Sequence, residues 1–427
     1  MNKFGKYYTK LTGSEEGNEK YSVELKKSIE KAGQLCLDNL KNNSFAPIMM
    51  MGNIQSGKTR AFIGLMSLCF DNDFDMTIIL TKCSTALVKQ TVSRMTSEFD
   101  CFRNGNATVG EVVAQDILEI DFRSCETMED KENAVKKFLR RYKGKKRIIV
   151  VKKQADNVDR LNLFIEAIVK YEYYKRLLIV DDEADITSIG YEKFKGQEQL
   201  SLRRISGAIN KMRKSLHSQI EHVLMQVTAT PYALYLQPEN FSNNNIMPIK
   251  PLRTVVLPTG KGYIGGDFYF IESEDAQSEN YSKAKHLLHI VSQEEMNILN
   301  GSRKNSGKNH AITDRRTVRV EEFLRNEKFV LNSFRSWIFD VLVGTAIVQL
   351  TSGNEDYYLS AVLHAAITKT LHRSEKDLIE QSFLTLIDTL EENINDIDFY
   401  NYIKNSYNDI IQSVKEYNVL NVPTIEK

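Results

Sequence analysis

One run of residues near the start of the chain has the types and spacing needed to hold a polyphosphate. The run Gly52-Asn53-Ile54-Gln55-Ser56-Gly57-Lys58-Thr59 fits the pattern G-x-x-x-x-G-K-[ST], known as the P-loop. Its glycines let the backbone wrap closely, so that successive N–H groups point at phosphate oxygens, helped by the positive end of a following helix. Lys58 would neutralise the β- and γ-phosphates of a nucleoside triphosphate, and Thr59 would ligate Mg²⁺.

A second group of candidate residues is acidic. The apolar run at 177–180 ends in Asp181-Asp182-Glu183-Ala184-Asp185, so a predicted buried strand leads directly into several carboxylates. Carboxylates so close repel one another unless a cation lies among them, and a nucleotide at the P-loop would bring Mg²⁺. We expect Asp182 to hold the metal and Glu183 to act as general base on the attacking water. A register one residue earlier would make Asp181 the metal ligand instead.

The elements that position these residues are predicted from the hydrophobic pattern. An amphipathic helix is expected over residues 21–40, before the first strand. Short apolar runs then alternate with longer amphipathic segments, and they occupy residues 48–51, 77–80, 148–151, 177–180 and 223–227. This alternation predicts an α/β fold, in which helices cover both faces of a parallel sheet. The P-loop and the acidic residues would then share the edge formed by the carboxyl ends of the strands.

Composition and charge argue against a disulfide-rich, a secreted and a membrane-spanning protein. Lysine and arginine outnumber aspartate and glutamate by 57 to 56, so the overall charge neither favours nor opposes a polyanionic partner. The five cysteines lack metal-ligand spacing, which indicates reduced thiols. The polar first twenty residues lack the apolar core of a secretory signal, and the longest apolar stretch, 337–350, is shorter than the ~20 residues that span a bilayer. We expect a cytoplasmic protein without a membrane segment, with 337–350 as a buried helix.

Basic residues offer several candidate contacts with nucleic acid. Two runs, at 136–147 and 203–214, and a Gly- and Ser-containing loop at 303–319 are rich in lysine and arginine. Such runs more often form a solvated face than a phosphate-binding surface. Lys152 and Lys153 follow a predicted strand at the edge of the sheet that carries the P-loop, which favours them as phosphate contacts.

Three motifs together resemble helicase superfamily 2. Residues 182–185 spell the D-E-A-D motif of that superfamily, and Thr228-Ala229-Thr230 is similar to its third motif at the end of a further strand. Residues 81–94 resemble the segment that lines the strand-binding groove. The resemblance implies a nucleoside-triphosphatase, with Thr228, Ala229 and Thr230 coupling hydrolysis to movement of the nucleic acid. It also implies that the nucleotide is ATP.

A closer resemblance covers most of the chain. Residues 51–59, 151–154, 181–185 and 257–266 (LPTGKGYIGG) are similar to the Z-one domain family of endonuclease or helicase-like proteins in prokaryotic restriction and phage-defence loci. This resemblance implies a RecA-like P-loop ATPase lobe that acts on DNA in an anti-phage or restriction-type system. It implies further that the partner proteins include a nuclease or a GHKL-type ATPase.

The resemblance also sets an expectation about what the chain lacks. The arginine-rich signature of a second RecA-like lobe, whose arginines reach the γ-phosphate, is absent before Lys427. We expect a fragment, a naturally split protein, or hydrolysis that awaits an arginine finger from a partner. Since such a finger is worth about three to five orders of magnitude in rate, the chain alone should be slow. The alternative is a nucleotide-gated assembly module, in which ATP occupancy sets contact with a partner and turnover is incidental.

The predicted domain organisation follows from the same pattern. A chain of 427 residues exceeds what one hydrophobic core usually organises. We predict an N-terminal helical segment over 1–44, the RecA-like lobe over 45–275 and a basic loop or insertion over 276–330. A mostly helical region over 331–427 is a candidate for the start of an incomplete second lobe, and residues 360–367 are predicted as a strand within it.

Overall fold

The structure is a computed structural model. It consists of two compact units, Met1–Tyr263 and Ile264–Lys427. The predicted boundaries at residues 44, 275 and 330 remain predictions. The structure describes residues 3–13, 21–103, 110–171, 174–186, 188, 191–192, 201–217, 219–237, 247, 249–260, 263–284, 288, 290–293, 332–354, 356–360, 380, 384, 397–416 and 422–425.

A parallel sheet is the centre of the first unit. Its strands, as far as the chain is described, are β1 (Ile48–Met51), β2 (Met76–Thr81), β3 (Val112–Asp116), β4 (Lys146–Lys152), β5 (Arg176–Asp182), β8 (Glu221–Thr228) and β9 (Arg253–Val256). They lie in the order β3-β4-β2-β5-β8-β1-β9, and every neighbouring pair is parallel. The two-residue strands β6 (Tyr191–Glu192) and β7 (Ser201–Leu202) form a separate antiparallel pair.

Helices cover both faces of this sheet. They are α1 (Lys6–Thr12), α2 (Val23–Lys41), α3 (Lys58–Asp71), α4 (Thr85–Phe99), α5 (Met128–Arg141), α6 (Ala155–Lys170) and α7 (Arg204–His217), and the short helix α8 (Tyr232–Tyr235) follows β8. Helices α1 to α4 contribute to one hydrophobic core, whereas α5 to α7 contribute to the other.

The strands explain why two cores form. Within β4, Ile148 and Val150 join the first core, while Ile149 and Val151 join the second. Successive side chains of a strand point to opposite faces, so a strand buried on both faces reads as a continuous apolar run. The predicted α/β fold with helices on both faces of a parallel sheet is therefore confirmed.

The regular elements that the structure describes in the second unit are all helices. It contains a short π-helix (Phe268–Glu272), α9 (Asn332–Ser352) and α10 (Ile397–Glu416). Helices α9 and α10 pack through the rings of Phe339 and Tyr402, whose centroids lie 5.3 Å apart. The helix predicted over 337–350 is present, but its burial holds only at its start: Ile338 and Phe339 are buried, whereas Leu350 is exposed. The basic loop at 303–319 and most of the strand predicted at 360–367 lie outside the described residues.

Two further observations bear on the expectations from composition. All five cysteines are free thiols. Among the described helices, none combines the length and the apolar character needed to cross a lipid bilayer.

Candidate nucleotide site

The P-loop connects the end of β1 to the start of α3 at Lys58. Its tight course needs left-handed backbone at Gln55 (φ 58°) and Gly57 (φ 91°), and the second of these is a conformation that glycine adopts freely. A Cβ atom at Gly52 would lie 2.9 Å from the hydroxyl oxygen of Ser56, so the loop is also closed too tightly there for a larger residue. The Ser56 hydroxyl is buried and has no hydrogen-bond partner among the described residues.

Lys58 lies folded within the loop. Its Nζ donates to the carbonyl oxygens of Gly52 (3.2 Å) and Asn53 (2.7 Å). Burial lowers the pKa of Lys58, and the negative charge of nearby carboxylates opposes that effect. These carboxylates belong to Asp182, Glu183 and Asp185. The P-loop lysine and the predicted acidic cluster therefore share one electrostatic environment, as the sequence predicts.

The order of the strands sets the width of the site. Strand β8 lies between β1, which carries the P-loop, and β5, which carries the acidic residues. Since neighbouring strands are about 4.8 Å apart, the ends of β1 and β5 are separated by about 10 Å. The end of β8 is bonded to both sides: Gly52 N donates to Thr228 O (3.3 Å), and Ala184 N donates to Val227 O (3.2 Å).

The segment 181–185, called here the acidic turn, is fixed from beneath by Lys153. This lysine is only 1% exposed, and its Nζ donates to Asp181 Oδ1 (2.9 Å), Asp182 O (2.6 Å) and Glu183 O (2.9 Å). The hydroxyl of Ser188 donates to the same Asp181 oxygen at 2.8 Å. Asp181 is thus buried and already paired with the Lys153 ammonium, which favours Asp182 over Asp181 as the metal ligand.

Asp182 has the properties of a carboxylate that needs a cation. Burial raises its pKa to about 6; the charge of Lys153 lowers that pKa, and the charge of Glu183 raises it. The Thr59 hydroxyl and the Asp182 carboxylate are hard oxygen donors, which suit Mg²⁺. Within the described ranges, no three His, Cys, Asp or Glu side chains form a group that could hold a metal alone.

Glu183 has an unusual backbone conformation. It is not glycine, yet its φ is 50°. Strained backbone of this kind costs about 1–3 kcal/mol and persists only where the surroundings hold it, which here includes the bond from Lys153 to its carbonyl oxygen. The side chain reaches Lys82 at the end of β2, with Oε2 and Nζ 3.0 Å apart.

The third predicted motif is bonded directly to the acidic turn. The hydroxyls of Thr228 and Thr230 donate to the two carboxylate oxygens of Asp185, at 2.6 and 2.5 Å. Thr230 N donates in turn to the Thr228 hydroxyl at 2.9 Å. Ala229 lies between them in the chain. Any movement of the acidic turn would therefore be felt by this motif through Asp185, a role that the sequence pattern alone does not assign.

The prediction of nucleic-acid contact is wrong for three of the basic residues. Arg147, Arg213 and Lys153 are all at most 2% exposed. Arg147 stacks on the ring of Phe138, and Arg213 donates to the carbonyl oxygen of Phe45 at 2.7 Å. The segment from 140 to 147 also leads into β4, which places it at the opposite edge of the sheet from the P-loop.

Lys152 remains half-exposed at the edge that carries the P-loop. Its Nζ lies 3.5 Å from the Thr85 hydroxyl at the start of α4. The roles of Lys153 and Lys82 in holding the acidic turn were not predicted from sequence. An electrostatic argument could have found both lysines. A carboxylate at the end of a buried strand needs a cation, and a lysine at the end of a neighbouring strand can supply one.

Comparisons with known proteins identify no family. No protein-family model and no curated protein match the chain. Among solved structures, the DUF1998 helicase MrfA matches with a TM-score of 0.31 and 15% identity, over 57% of this chain and 34% of that chain.

Two further matches have similar scores. The Pyrococcus furiosus Hef helicase domain matches with a TM-score of 0.28 and 12% identity, over 90% of this chain and 58% of that one. The second is a nuclease-deletion mutant of the Type ISP restriction-modification enzyme LlaGI in complex with a DNA substrate mimic. It matches with a TM-score of 0.30 and 11% identity, over 93% of this chain and 33% of that chain.

The class of fold follows from the chain itself. A parallel sheet with helices on both faces, a P-loop between the first sheet strand and its helix, and an acidic turn two strands away define an α/β RecA-like lobe. A helical C-terminal region follows it.

Proposed function

We propose that this chain binds ATP with Mg²⁺ and hydrolyses it as a helicase-like motor lobe that acts on DNA. The observation that carries the proposal is that hydrogen bonds link the P-loop, the acidic turn and the third motif at one edge of the sheet, with Gly52 N bonded to Thr228 O and Ala184 N to Val227 O. Lys58 lies in the field of the acidic turn, and Asp185 of that turn is bonded to both threonines of the third motif. A phosphate site alone would not need the third motif, whereas a motor must transmit the state of its nucleotide.

The residues divide the chemistry among themselves. The P-loop amides and Lys58 would bind the phosphates, with the Lys58 ammonium exchanging the carbonyls of Gly52 and Asn53 for phosphate oxygens. Mg²⁺ would neutralise charge on the β- and γ-phosphates when bound, held by Thr59 and Asp182. Glu183 would take a proton from the water whose oxygen forms the new bond to the γ-phosphorus, while the bond to the β-phosphate oxygen breaks.

The wider setting rests on the sequence resemblance. The signatures shared with the Z-one family support a place in a prokaryotic anti-phage or restriction-type system, with DNA and a nuclease or GHKL-type ATPase as partners. By the same resemblance, turnover by the chain alone would be slow until an arginine finger reaches the γ-phosphate. A protein of this kind would work in the cytoplasm.

The proposal is tested by phosphate release. The wild-type chain, Lys58→Ala and Glu183→Gln are compared with ATP and Mg²⁺, with and without single- and double-stranded DNA. We expect DNA-stimulated release that both variants lose, with ATP binding kept in Glu183→Gln and lost in Lys58→Ala. Lys31→Ala, at an exposed lysine of α2, is the control for loss of one positive charge. Release that survives Lys58→Ala would overturn the site assignment.

A second candidate function is a nucleotide-gated assembly module. The pairing of the candidate base Glu183 with Lys82 favours it, since such a module needs to bind ATP but not to turn it over. Lys58-dependent ATP binding without release under any polymer would support this function and contradict the motor.

A further inference from the structure

Lys82 and Glu183 form an ion pair between neighbouring strand ends. Lys82 follows β2 and Glu183 follows β5, and the register pairs Leu80 with Asp181 at the ends of these strands. The Lys82 Nζ and Glu183 Oε2 atoms are 3.0 Å apart, with the two side chains 49% and 42% exposed. The candidate general base therefore has an accessible cation as its neighbour.

Lys82 and the P-loop lie on opposite sides of the strand that carries Glu183. In the strand order, β2 lies on one side of β5, whereas β8 and the P-loop strand β1 lie on the other. A Glu183 side chain paired with Lys82 is thus directed towards the far side of β5. A general base must lie within hydrogen-bond reach of the proton that it takes. The pair thus directs the carboxylate away from the side of β5 on which a nucleotide at the P-loop would lie.

The backbone of Glu183 allows its side chain to change partner. Its carbonyl oxygen is held by the buried Lys153, at 2.9 Å, and its amide donates to Asp182 Oδ1 at 3.2 Å. The turn is therefore fixed by buried contacts, whereas the two side chains of the ion pair are each nearly half-exposed, although the Glu183 Oε2 atom itself is covered. Ion pairs exposed to this extent contribute little to stability, so this pair can open without loss of the fold.

A polyanion offers Lys82 another partner. The register places Thr81 beside Lys152, so the two lysines lie at neighbouring strand ends on the same edge of the sheet. Lys152 is half-exposed and reaches the Thr85 hydroxyl at 3.5 Å. Two ammonium groups at one exposed edge repel each other, and successive phosphates of a nucleic-acid backbone would bind both.

We propose that Lys82 acts as a latch, meaning that its ion pair holds the Glu183 carboxylate away from the γ-phosphate. A nucleic-acid backbone phosphate opens the latch when it binds Lys82 and so releases the carboxylate. The released carboxylate can then turn towards the γ-phosphate. This inference rests on the proposed function, because it explains how DNA would stimulate hydrolysis at the same site. Lys82 acts through Glu183, so it is a positioning residue.

The test compares phosphate release by wild type, Lys82→Ala, Lys82→Arg and Lys31→Ala, each without polymer and at saturating single-stranded oligonucleotide. An exposed ion pair of ordinary strength predicts that Lys82→Ala raises the rate without polymer about two- to fivefold. The saturated rate stays unchanged, so the stimulation ratio falls by the same factor. Lys82→Arg, which can also pair with a carboxylate, retains the wild-type ratio. Rates that fall in parallel in Lys82→Ala, or an unchanged ratio, would overturn the latch.

A labelling measurement separates failure of the latch from failure of the motor. The rate at which an amine reagent modifies Lys82 is followed by mass spectrometry in wild type and Glu183→Gln. The latch predicts a rate about two- to fivefold higher in the variant, and a lower rate in both once the oligonucleotide is added. If this holds while the wild type releases no phosphate, the motor fails and the latch stands. Equal labelling in the two proteins, or equal protection by polyglutamate, would overturn the nucleic-acid latch.

Discussion

Lys153 is the residue on which the acidic turn most depends. Removing its charge in Lys153→Met would leave Asp181 buried without its bonded cation, although the charge of the buried Arg213 still acts on it. Breaking a buried pair in this way costs about 3–5 kcal/mol. We expect a corresponding fall in the free energy of unfolding, measured with urea. Lys152→Met, at the half-exposed neighbour, is the matched control and should change stability little. A similar loss in both variants would contradict the assignment.

Thr228 tests whether the third motif transmits the nucleotide state. Thr228→Val keeps the shape of the side chain and removes two hydrogen bonds, one donated to Asp185 and one accepted from Thr230 N. The first is worth about 1.5–3 kcal/mol because the acceptor is charged. In the motor, ATP binding should persist, while stimulation of phosphate release by DNA falls towards none.

The control for this variant lies on β2. The Thr77 hydroxyl is buried without a hydrogen-bond partner among the described residues, so Thr77→Val should be neutral or stabilising. Stimulation by DNA that is intact in Thr228→Val, or lost equally in Thr77→Val, would remove the case for coupling.

His222 predicts a pH dependence of stability. Burial lowers its pKa from 6.5 to about 4, so it folds as the neutral ring. Between these values the unfolded chain binds more protons, and stability is lost as pH falls through this window, by about 3 kcal/mol at most. Urea midpoints across the window should show that loss in wild type and much less of it in His222→Gln. The same pH slope in both proteins would assign the loss to other groups.

At this scale the sequence predicts candidate site residues but not all of their partners. Lys58, Asp182 and Glu183 are predicted because each belongs to a pattern with a chemical reason. The sequence favours Lys153 as a phosphate contact, since nothing in its neighbours shows that it lies beneath a buried carboxylate. The bond from Thr228 to Asp185 was also missed, because it depends on which strands are neighbours.

At the scale of elements, Gly57 shows how a turn serves binding. Its φ of 91° would cost an alanine about 1–2 kcal/mol, although a Cβ atom there would meet no atom within 4 Å. Gly144, with φ 79° and equally open surroundings, lies in the turn before β4 at the opposite edge of the sheet.

The two glycines are therefore a matched pair. Gly57→Ala and Gly144→Ala should lower the free energy of unfolding by similar amounts, but only Gly57→Ala should weaken ATP binding. Urea denaturation and binding of a fluorescent ATP analogue measure the two effects. Weaker binding in Gly144→Ala would mean that strain acts through the whole lobe rather than through the loop.

The elements predicted best are those buried on both faces. Residues 48–51 form β1 as predicted, and the other central strands extend the predicted runs by one or two residues at each end. Strand β3 was missed. It lies at the edge of the sheet, and its sequence, Val112–Asp116, ends in Gln115 and Asp116 rather than continuing an apolar run. Edge strands bury less, so their sequences carry less of the signal.

At the scale of the whole molecule, the first unit contains every residue of the candidate site. Its two cores on the faces of the sheet are built from residues between Tyr7 and Leu257. We therefore expect a fragment of residues 1–263 to fold and to bind ATP in a Lys58-dependent manner, as judged by circular dichroism and binding of a fluorescent analogue. A fragment that folds but does not bind would place a necessary part of the site in residues 264–427.

Strand β8 limits how this protein can change over generations. Its end is bonded to the P-loop through Thr228 O and to the acidic turn through Val227 O, so a substitution that shifts it disturbs both at once. A change tolerated at one of these segments then depends on what already occupies the other two. Mutations in the three segments would therefore show strong epistasis. The P-loop, the acidic turn and the third motif would change together in evolution rather than one at a time.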